Sequence, residues 1–256
     1  MIIKKLTGKK PLISIITVTK NSEKTIEKCI LSVKKQSFKN FEYIIIDGKS
    51  SDKSIKIIKK YKNFINHIES KKDKNLWDAM NKGIKVSRGK IIGILNSDDF
   101  FYPNALSYVK KYFNENNIDF LFGAVKKKRI YSGFSPERIW YKFNIIPSHS
   151  VSFFVKKKIH EEAGLYDASL KYCADYDFLY RILRKNYYGI ATKKNHIFGE
   201  FSMSGMSSKP NFLTSIYFQS IVRLRNGQGY LWVIFLYFLH AANFIRNKII
   251  NFIIKK

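Results

Sequence analysis

Two adjacent carboxylates, Asp98 and Asp99, end the apolar run Ile91–Leu95 and precede an aromatic pair, Phe100 and Phe101. A run of that length bounded by turn residues reads as a buried strand, because a half-exposed strand would alternate apolar and polar positions. The acids then stand at the strand's carboxyl end, the edge where open α/β sheets bind ligands. Side by side, two carboxylates repel unless a cation or a hydrogen-bond network compensates them. Hard oxygen donors of this kind suit Mg²⁺ or Mn²⁺ bridging to a phosphate. The chemistry implied is a metal-assisted diphosphate site. An isolated Asp-Asp pair is ordinarily a solvated turn, or here a cap before Pro103, so the rest of the chain must supply the other parts.

Other polar residues fall at the ends of further apolar runs. Thr19 and Asn21 follow the run Leu12–Val18, and Asp47 closes Phe41–Ile46. An acceptor such as Asp47 at a strand tip can take the imide hydrogen of a nucleobase. Displacement at a sugar's anomeric carbon also needs a carboxylate opposite the leaving group to take the attacking hydroxyl's proton. Asp175, on a later helical segment, is the available candidate.

These residues need elements to hold them. Ile26, Cys29, Ile30 and Val33 recur at helical spacing, so residues 22–36 read as an amphipathic helix capped by Ser22 with Glu23 in its first turn. Residues 41–46 form the next strand, Ser51 or Asp52 caps a helix carrying Ile55, Ile58 and Tyr61, and residues 64–69 are a third strand. Residues 75–87 read as a helix stopped by Gly89. Alternation at this spacing predicts βαβ crossovers and a mainly parallel sheet with a nucleotide pocket across its carboxyl edge. Pro103 opens a helix to about residue 116, residues 119–125 are a strand, and 136–143 a short helix. A strand over 151–155 and helices over 157–164 and 174–185 follow. Phe178, Ile182 and Leu183 form an apolar stripe on the last of these.

The 256 residues, 45% hydrophobic, suffice for one large α/β domain or two small ones. With 47 basic and 19 acidic side chains the net charge is +28, so the surface attracts anions: nucleotide sugars, acidic headgroups or nucleic acid. Cys29 and Cys173 are the only cysteines and lie outside any metal-ligand spacing, which argues against a disulfide framework and a zinc site and fits a reducing, cytoplasmic setting. The amino-terminal MIIKKLTGKKP has no apolar run of signal-peptide length.

The motifs ISIITVTKN, IIIDGKSSDKS, DKNLWDAMNKGI, RGKIIGILNSDD, GLYD before ADYDFLYR, and SGMSS occur in one order, from about Pro11 to Lys209. In that order they resemble the inverting family 2 glycosyltransferases of the GT-A, or nucleotide-diphospho-sugar transferase, fold. The resemblance implies an α/β fold, with a mainly parallel central sheet flanked by helices, in a domain over 1–209. A C-terminal helical extension over 210–256 follows. It implies a nucleotide-sugar donor, and casts Asp47 as the uracil contact, Asp98 as the ribose or diphosphate contact and Asp99 as the ligand of a Mg or Mn ion. Thr17, Thr19, Asn21 and Asn96 complete the donor-binding set, and Asp175 is cast as the catalytic base. DAMNKGI resembles the subgroup that builds bacterial surface polysaccharides such as lipopolysaccharide, capsule or O-antigen, where Asp78 and Asn81 sit close to the donor. SGMSS resembles a segment that closes over the nucleotide. The acceptor implied is a glycan or glycolipid.

Departures bear on the details. Ala174 stands where many relatives carry an acid, which makes Asp177 a rival base. Two helical positions two apart point about 200° away from each other. Asp177 precedes Arg181 by four, the spacing of an ion pair, so Asp175 is read as the base and Asp177 as its structural neighbour. Lys49 replaces a common small residue and Asn75 a frequent glycine. His149 occupies a position often histidine in the subgroup, near acceptor or diphosphate, and His196 could complete a metal shell; each could equally be structural.

Tyr230–Ile245 is densely apolar and aromatic, with Arg246 and Lys248 after it. The run is shorter than the ~20 residues of a spanning helix, so a helix lying at the inner face of the cytoplasmic membrane is expected, against packing on the domain or on a second subunit in a homo-oligomer. A basic nucleic-acid-binding protein explains the charge but not the placement of the acids, and the lysines are spread over helix faces without any nucleic-acid signature. A catalytically silent scaffold of the same fold is opposed by the joint presence of Asp47, Asp99 and Asp175.

Overall fold

The computed structural model describes residues 1–4, 8, 10–142, 146–202 and 212–254, with side chains in the last segment described to residue 250. Its first half comprises β1 (Ile2–Lys4), β2 (Ile13–Thr19), α1 (Ile26–Lys34), β3 (Phe41–Asp47), α2 (Ser54–Lys60), β4 (His67–Ser70), α3 (Leu76–Val86) and β5 (Ile91–Ile94). Then come β6 (Phe100–Phe101), α4 (Ala105–Glu115), β7 (Phe120–Phe122), β8 (Ala124–Lys126) and β9 (Ile130–Tyr131). A 3₁₀ turn (Pro136–Trp140) leads to β10 (Phe153–Lys156), α5 (Lys157–Glu162), α6 (Ala174–Arg184), β11 (Gly189–Ala191) and β12 (Ile197–Glu200). Helices α7 (Phe212–Arg225) and α8 (Tyr230–Ile254) end the chain.

Eight strands in the order β1-β4-β3-β2-β5-β10-β7-β11 form the main sheet. Its centre, β4-β3-β2-β5, is parallel as the crossovers predict. At the flanks β1 runs antiparallel to β4, β10 antiparallel to β5 and β7, and β11 parallel to β7, so the sheet as a whole is mixed. All seven residues of β2 are buried, and their alternation divides two cores. Ile13 and Ile15 face α1, α2 and α4 through Ile26, Ile30, Ile58 and Leu106. Ile16 and Val18 face α3 and α6 through Met80, Phe178 and Ile182.

A second, four-stranded sheet, β6-β12-β8-β9, stands beside the first. Residues 119–125, which read as one strand, are two: β7 belongs to the main sheet and β8 to the small one. The break falls at Gly123, where a Cβ would lie 2.3 Å from the Phe198 ring, so only glycine lets the chain pass between the sheets.

Helix ends differ from expectation where another partner competes for the cap. Ser22 does not cap α1; its carbonyl accepts from the N–H groups of Thr25 (3.0 Å) and Ile26 (2.9 Å) in a preceding turn, and its hydroxyl bonds that of Ser97 (2.8 Å). Asp52 does serve α2, accepting from Ser54 N–H at 2.9 Å. Asn75 caps α3 by accepting from Trp77 and Asp78 N–H, both at 3.1 Å. Gly89 is not the stop of α3, which ends at Ser87. Its N–H donates to Ser14 Oγ (2.8 Å), and a Cβ there would stand 2.6 Å from the Ser14 nitrogen. Residue 143, the expected end of the 136–143 helix, lies outside the described residues.

α7 and α8 pack on one another, with Phe212 stacked on Phe244 at 4.4 Å and Gly227 in the left-handed conformation between the helices (φ 78°). α7 in turn packs on α6. Arg223, buried despite its charge, donates to the carbonyls of Trp140 and Lys142 (2.7 Å each) and to Gln228 Oε1 (3.0 Å), so the helical extension is hydrogen-bonded to the domain.

Candidate active site

The loops at the carboxyl ends of β2, β3 and β5 surround a cavity of about 890 Å³, whose wall includes Thr19, Asn21, Gly48, Asp73, Asn96 and Asp98. Two residues of the β2 and β3 loops are in the left-handed region, Asn21 (φ 51°), which lines the cavity, and Lys49 (φ 59°), which follows Gly48. Asparagine adopts that conformation readily and lysine at some cost. Asn21 N–H donates to Ser50 Oγ (2.8 Å) and its Oδ1 accepts from Ser51 N–H (2.9 Å), clamping the β2 and β3 loops together.

Asp47 is wholly buried and does not line this cavity. Its carboxylate accepts from Ser50 N–H (3.0 Å), the Ser50 hydroxyl and the Ser70 hydroxyl (2.7 Å), so its hydrogen-bonding capacity holds the loop. The acid that this end of the cavity presents is Asp73, beside Gly48 and paired with Lys82 at 2.5 Å. Burial pushes the Asp73 carboxyl up, against the pull of Lys82. Asp73 stands in the DKNLWDAMNKGI motif, but among lysines it carries no pattern of its own.

At the other end, Asn96 N–H donates to Ser150 Oγ (2.9 Å) and Asp99 N–H to Asn96 O (3.1 Å), folding residues 96–99 into a turn that aims Asp98 at the cavity. Asp99 is only 2% exposed. Its Oδ1 accepts from Ser202 N–H at 2.7 Å, just past the end of β12, and burial pushes its carboxyl up to about 7. Among the described residues Asp99 Oδ2 and Asn96 Oδ1 are buried without a hydrogen-bond partner. Orphaned buried oxygens of this kind call for a ligand. With Asp98 they make an all-oxygen donor set that fits Mg²⁺ or Mn²⁺, ions that take one or two carboxylates and complete their shell with water and phosphate. Among the described residues no cluster of three His, Cys, Asp or Glu side chains could hold an ion.

Asp175 lies in the first turn of α6, two residues after Cys173, whose backbone is left-handed (φ 65°). Its Oδ1 accepts from Tyr176 N–H (3.0 Å), and burial pushes its carboxyl up to about 6. Asp177 is differently placed. One oxygen accepts from Arg181 Nε (2.8 Å) and the other from Asn226 Nδ2 (3.0 Å). Arg181 also donates to the carbonyls of Ala163, Gly164 and Leu165, so Asp177 ties α6 to the Gly164–Asp167 turn and to the end of α7.

The remaining expected residues divide. Thr19 lines the cavity, and its buried hydroxyl has no partner among the described residues. Thr17 does not reach the cavity: it is wholly buried, accepting from the Tyr43 hydroxyl (3.0 Å) and touching Cys29 Sγ (3.7 Å). Asn81 is occupied by the main chain of Tyr166, donating to its carbonyl (2.8 Å) and accepting from its N–H (3.0 Å). Asp78 accepts from Lys74 N–H (3.0 Å) and pairs with Lys82 (3.1 Å), which sets the loop carrying Asp73. His149 Nε2 bonds the Tyr166 hydroxyl (2.8 Å) with its ring edge-on to Trp77, and burial pulls its pKa down to about 3. His196 stacks on Tyr108 at 4.3 Å and bonds the Tyr112 hydroxyl (3.0 Å). It precedes β12, whereas Ser202 meets Asp99 beyond that strand's other end, roughly 20 Å away at about 3.3 Å per residue. His196 therefore belongs to the packing of α4 and not to a metal shell. SGMSS lies outside the described residues.

Comparison with known proteins adds a family. The profile described as "Glycosyl transferase family 2" matches residues 14–166. A protein of Methanocaldococcus jannaschii described as an uncharacterized glycosyltransferase is 28% identical over 285 aligned residues, spanning 96% of this chain and 95% of its own. Among solved structures, S. aureus TarS 1-349 in complex with UDP-GlcNAc superposes with a TM-score of 0.65 at 17% identity, covering 88% of this chain and 70% of that one. The mannosyltransferase PcManGT from Pyrobaculum calidifontis, in complex with GDP-Man and Mn2+, superposes with a TM-score of 0.65 at 13% identity, covering 91% and 70%. At those identities the two structures share the fold, the GT-A arrangement.

Proposed function

The chain belongs to glycosyl transferase family 2 and is a glycosyltransferase, and from that premise we propose that it moves a sugar from a nucleotide-diphospho-sugar, a UDP-sugar, to a lipid-linked or surface glycan with inversion at the anomeric carbon. The observation that carries this reading is the pair Asp98 and Asp99 at the carboxyl edge of β5. Asp98 faces a cavity large enough for a sugar nucleotide, and Asp99 keeps an unpartnered buried oxygen behind it. The fold neighbours solved with UDP-GlcNAc and with GDP-Man and Mn2+ support a donor of this class and a divalent ion.

Thr19, Asn21, Asn96 and Asp98 bind the donor, with Asp73 as the acceptor of hydrogen bonds at the far end of the cavity. Asp99, with Asn96 and Asp98 beside it, would hold the ion, whose charge would offset that of the diphosphate. Asp175 takes the proton of the attacking hydroxyl as its oxygen bonds the anomeric carbon opposite the breaking bond to the nucleoside diphosphate. A carboxyl near 6 is ionised at neutral pH yet more basic than a solvated aspartate, which suits that proton transfer. Asp177, Arg181 and Asn81 hold the segment that carries it. A screen of nucleotide sugars for hydrolysis, with Mn²⁺ or Mg²⁺ and again in excess chelator, tests the reading. Hydrolysis of no donor by a folded protein that also fails to bind UDP would sink it.

A second element of the reading concerns place. α8 buries Val233 and Leu236 against the protein, while Leu231, Phe235, Phe238, Ile245 and Ile249 stay more than half exposed. The helix is 25 residues long and runs on past Arg246 and Lys248, so it is longer than the apolar run suggested, and its Tyr230–Ile250 part is long and apolar enough to cross a membrane. Its docked stripe on α7 favours a helix lying at the cytoplasmic membrane surface, apolar face in lipid and basic residues among anionic headgroups.

A further inference from the structure

Adjoining the donor cavity, and sharing Asp98, Phe201 and Ser202 with it, lies a second cleft of about 350 Å³ walled in part by Lys28, Phe100 and Lys127. We propose that this cleft is a second phosphate subsite anchored by Lys127, and that it takes a phosphate group carried by the acceptor while the donor occupies the larger cavity. The assignment to the acceptor rests on the glycosyltransfer reading; the existence of the subsite does not.

Three lysines, Lys28, Lys127 and Lys128, contribute to this wall. The ammonium groups of two of them are held by aromatic faces: Lys28 Nζ stands 3.6 Å from the Phe100 ring centroid, and Lys127 Nζ lies 4.6 Å from that of Phe201 and 5.2 Å from that of Tyr131. Such faces fix a long flexible side chain without neutralising it. Among the described residues Lys127 forms no ion pair, and the carboxylate whose charge it feels is Asp99. The acids of the wall are Asp98, shared with the donor cavity, and Glu200, already engaged by Lys126 at 3.8 Å and the Tyr102 hydroxyl at 3.4 Å. The cleft thus keeps an excess of positive charge at the point where the two cavities meet. Ammonium groups bind phosphate as point charges, and a placed cluster of them is selective for a compact anion. Because the larger cavity has room for a whole sugar nucleotide, the phosphate of this cleft is assigned to a second molecule. The other source of the same chemistry is the donor's own diphosphate leaning across Asp98.

Calorimetric titration of the full chain with UDP, uridine and inorganic phosphate separates these cases, using Lys127→Gln, Lys127→Arg and, as control, Lys111→Gln on the exposed face of α4. Phosphate is expected to bind the UDP-saturated wild type and to lose about tenfold or more in affinity in Lys127→Gln, with UDP affinity unchanged and Lys127→Arg restoring the site. Loss of UDP affinity with uridine unaffected would uphold the subsite and overturn its assignment to the acceptor. Phosphate bound through Lys127 by a protein that binds no nucleotide would uphold the subsite while the donor reading falls. If Lys127→Gln matches Lys111→Gln in all three titrations, or wild type binds no phosphate at millimolar concentration, the subsite is refuted. Should Lys127→Gln fail to fold, Lys28→Gln replaces it under the same outcomes.

Discussion

Replacing Asp175 by asparagine should abolish transfer and raise stability together. The side chain keeps its size and its acceptor for Tyr176 N–H, but loses the charge that burial disfavours. In an unfolded chain an aspartate titrates near 3.9, whereas here burial pushes the folded-state value up to about 6. The native state therefore holds this proton longer than the unfolded state. Its contribution is fully favourable below about pH 4 and is lost as pH rises through about 6. Linkage between the two values puts the cost of the ionised carboxylate at about 3 kcal/mol at pH 8 and about 1.5 kcal/mol at pH 5. Asp175→Asn should accordingly gain up to about 3 kcal/mol at pH 8, a rise of roughly 5–10 °C in melting temperature for a domain of this size, and about half that at pH 5. Transfer should fall roughly 100-fold or more, as loss of a general base does, and the wild-type rate should climb through pH 6 to a plateau. Chemical denaturation at the two pH values and a pH profile of kcat/KM measure both limbs. A variant destabilised at pH 8, or one whose stability gain is the same at both pH values, refutes the burial argument; a flat wild-type profile between pH 5 and 7 refutes the base.

Further outcomes are expected elsewhere. Excess chelator should stop donor hydrolysis, and Asp99→Asn should remove activity together with any response to added metal; full turnover in chelator would show that no ion is needed. Asp73→Asn should raise the donor KM by roughly tenfold with kcat little changed, the loss expected for a hydrogen bond to a charged acceptor; an unchanged KM removes Asp73 from the donor site. Asp177→Asn should lower stability by about 1–3 kcal/mol, read as a lower urea midpoint, because Arg181 loses its carboxylate, while transfer persists; transfer lost with the fold intact would make Asp177 the base. Truncation before Gly229 should release the protein from anionic vesicles and leave donor hydrolysis measurable, and unchanged vesicle binding would assign α8 to packing.

What the sequence shows plainly is whatever local pattern decides. Buried runs gave β2, β3 and β5, helical spacing gave α1, α3 and α6, and the ion pair between Asp177 and Arg181 follows from a separation of four. What stayed hidden depends on pairing at a distance. β6 and β9 have two residues each, too short to carry a period, and they exist because β12 and β8 offer them partners. Asp47 yields its expected place at the cavity to Asp73 for the same reason. A strand tip suggests an acid aimed at ligand, but the hydroxyls of Ser50 and Ser70, one of them 23 positions away, claim the Asp47 carboxylate, and the cavity is left to an acid from another loop. Asn81 and Thr17 are likewise claimed by Tyr166 and Tyr43, partners that no spacing reveals.

The small sheet and the helical extension explain how a site made largely of loops is held. Asp99 cannot be fixed by β5 alone, since its carboxylate projects beyond the strand; the amide that orients it comes from Ser202, at the end of β12. β12 can reach that point because Gly123 lets the chain leave the main sheet and supply β8 as its parallel partner. Asp175, which is not part of the donor cavity's wall, is held by other elements. Its helix is bound through Asp177 to Asn226, and through Arg184 to the Asn226 carbonyl, at the end of the helix on which α8 packs. The acid proposed to take the acceptor's proton and the exposed apolar face of α8 are thus carried on successive packed helices. α6 is tied to α8 through α7 by hydrogen bonds and packing. Under the proposed reading, with a lipid-carried acceptor and α8 at the membrane, that fixed relation sets the height of Asp175 above the membrane at which the acceptor hydroxyl is met.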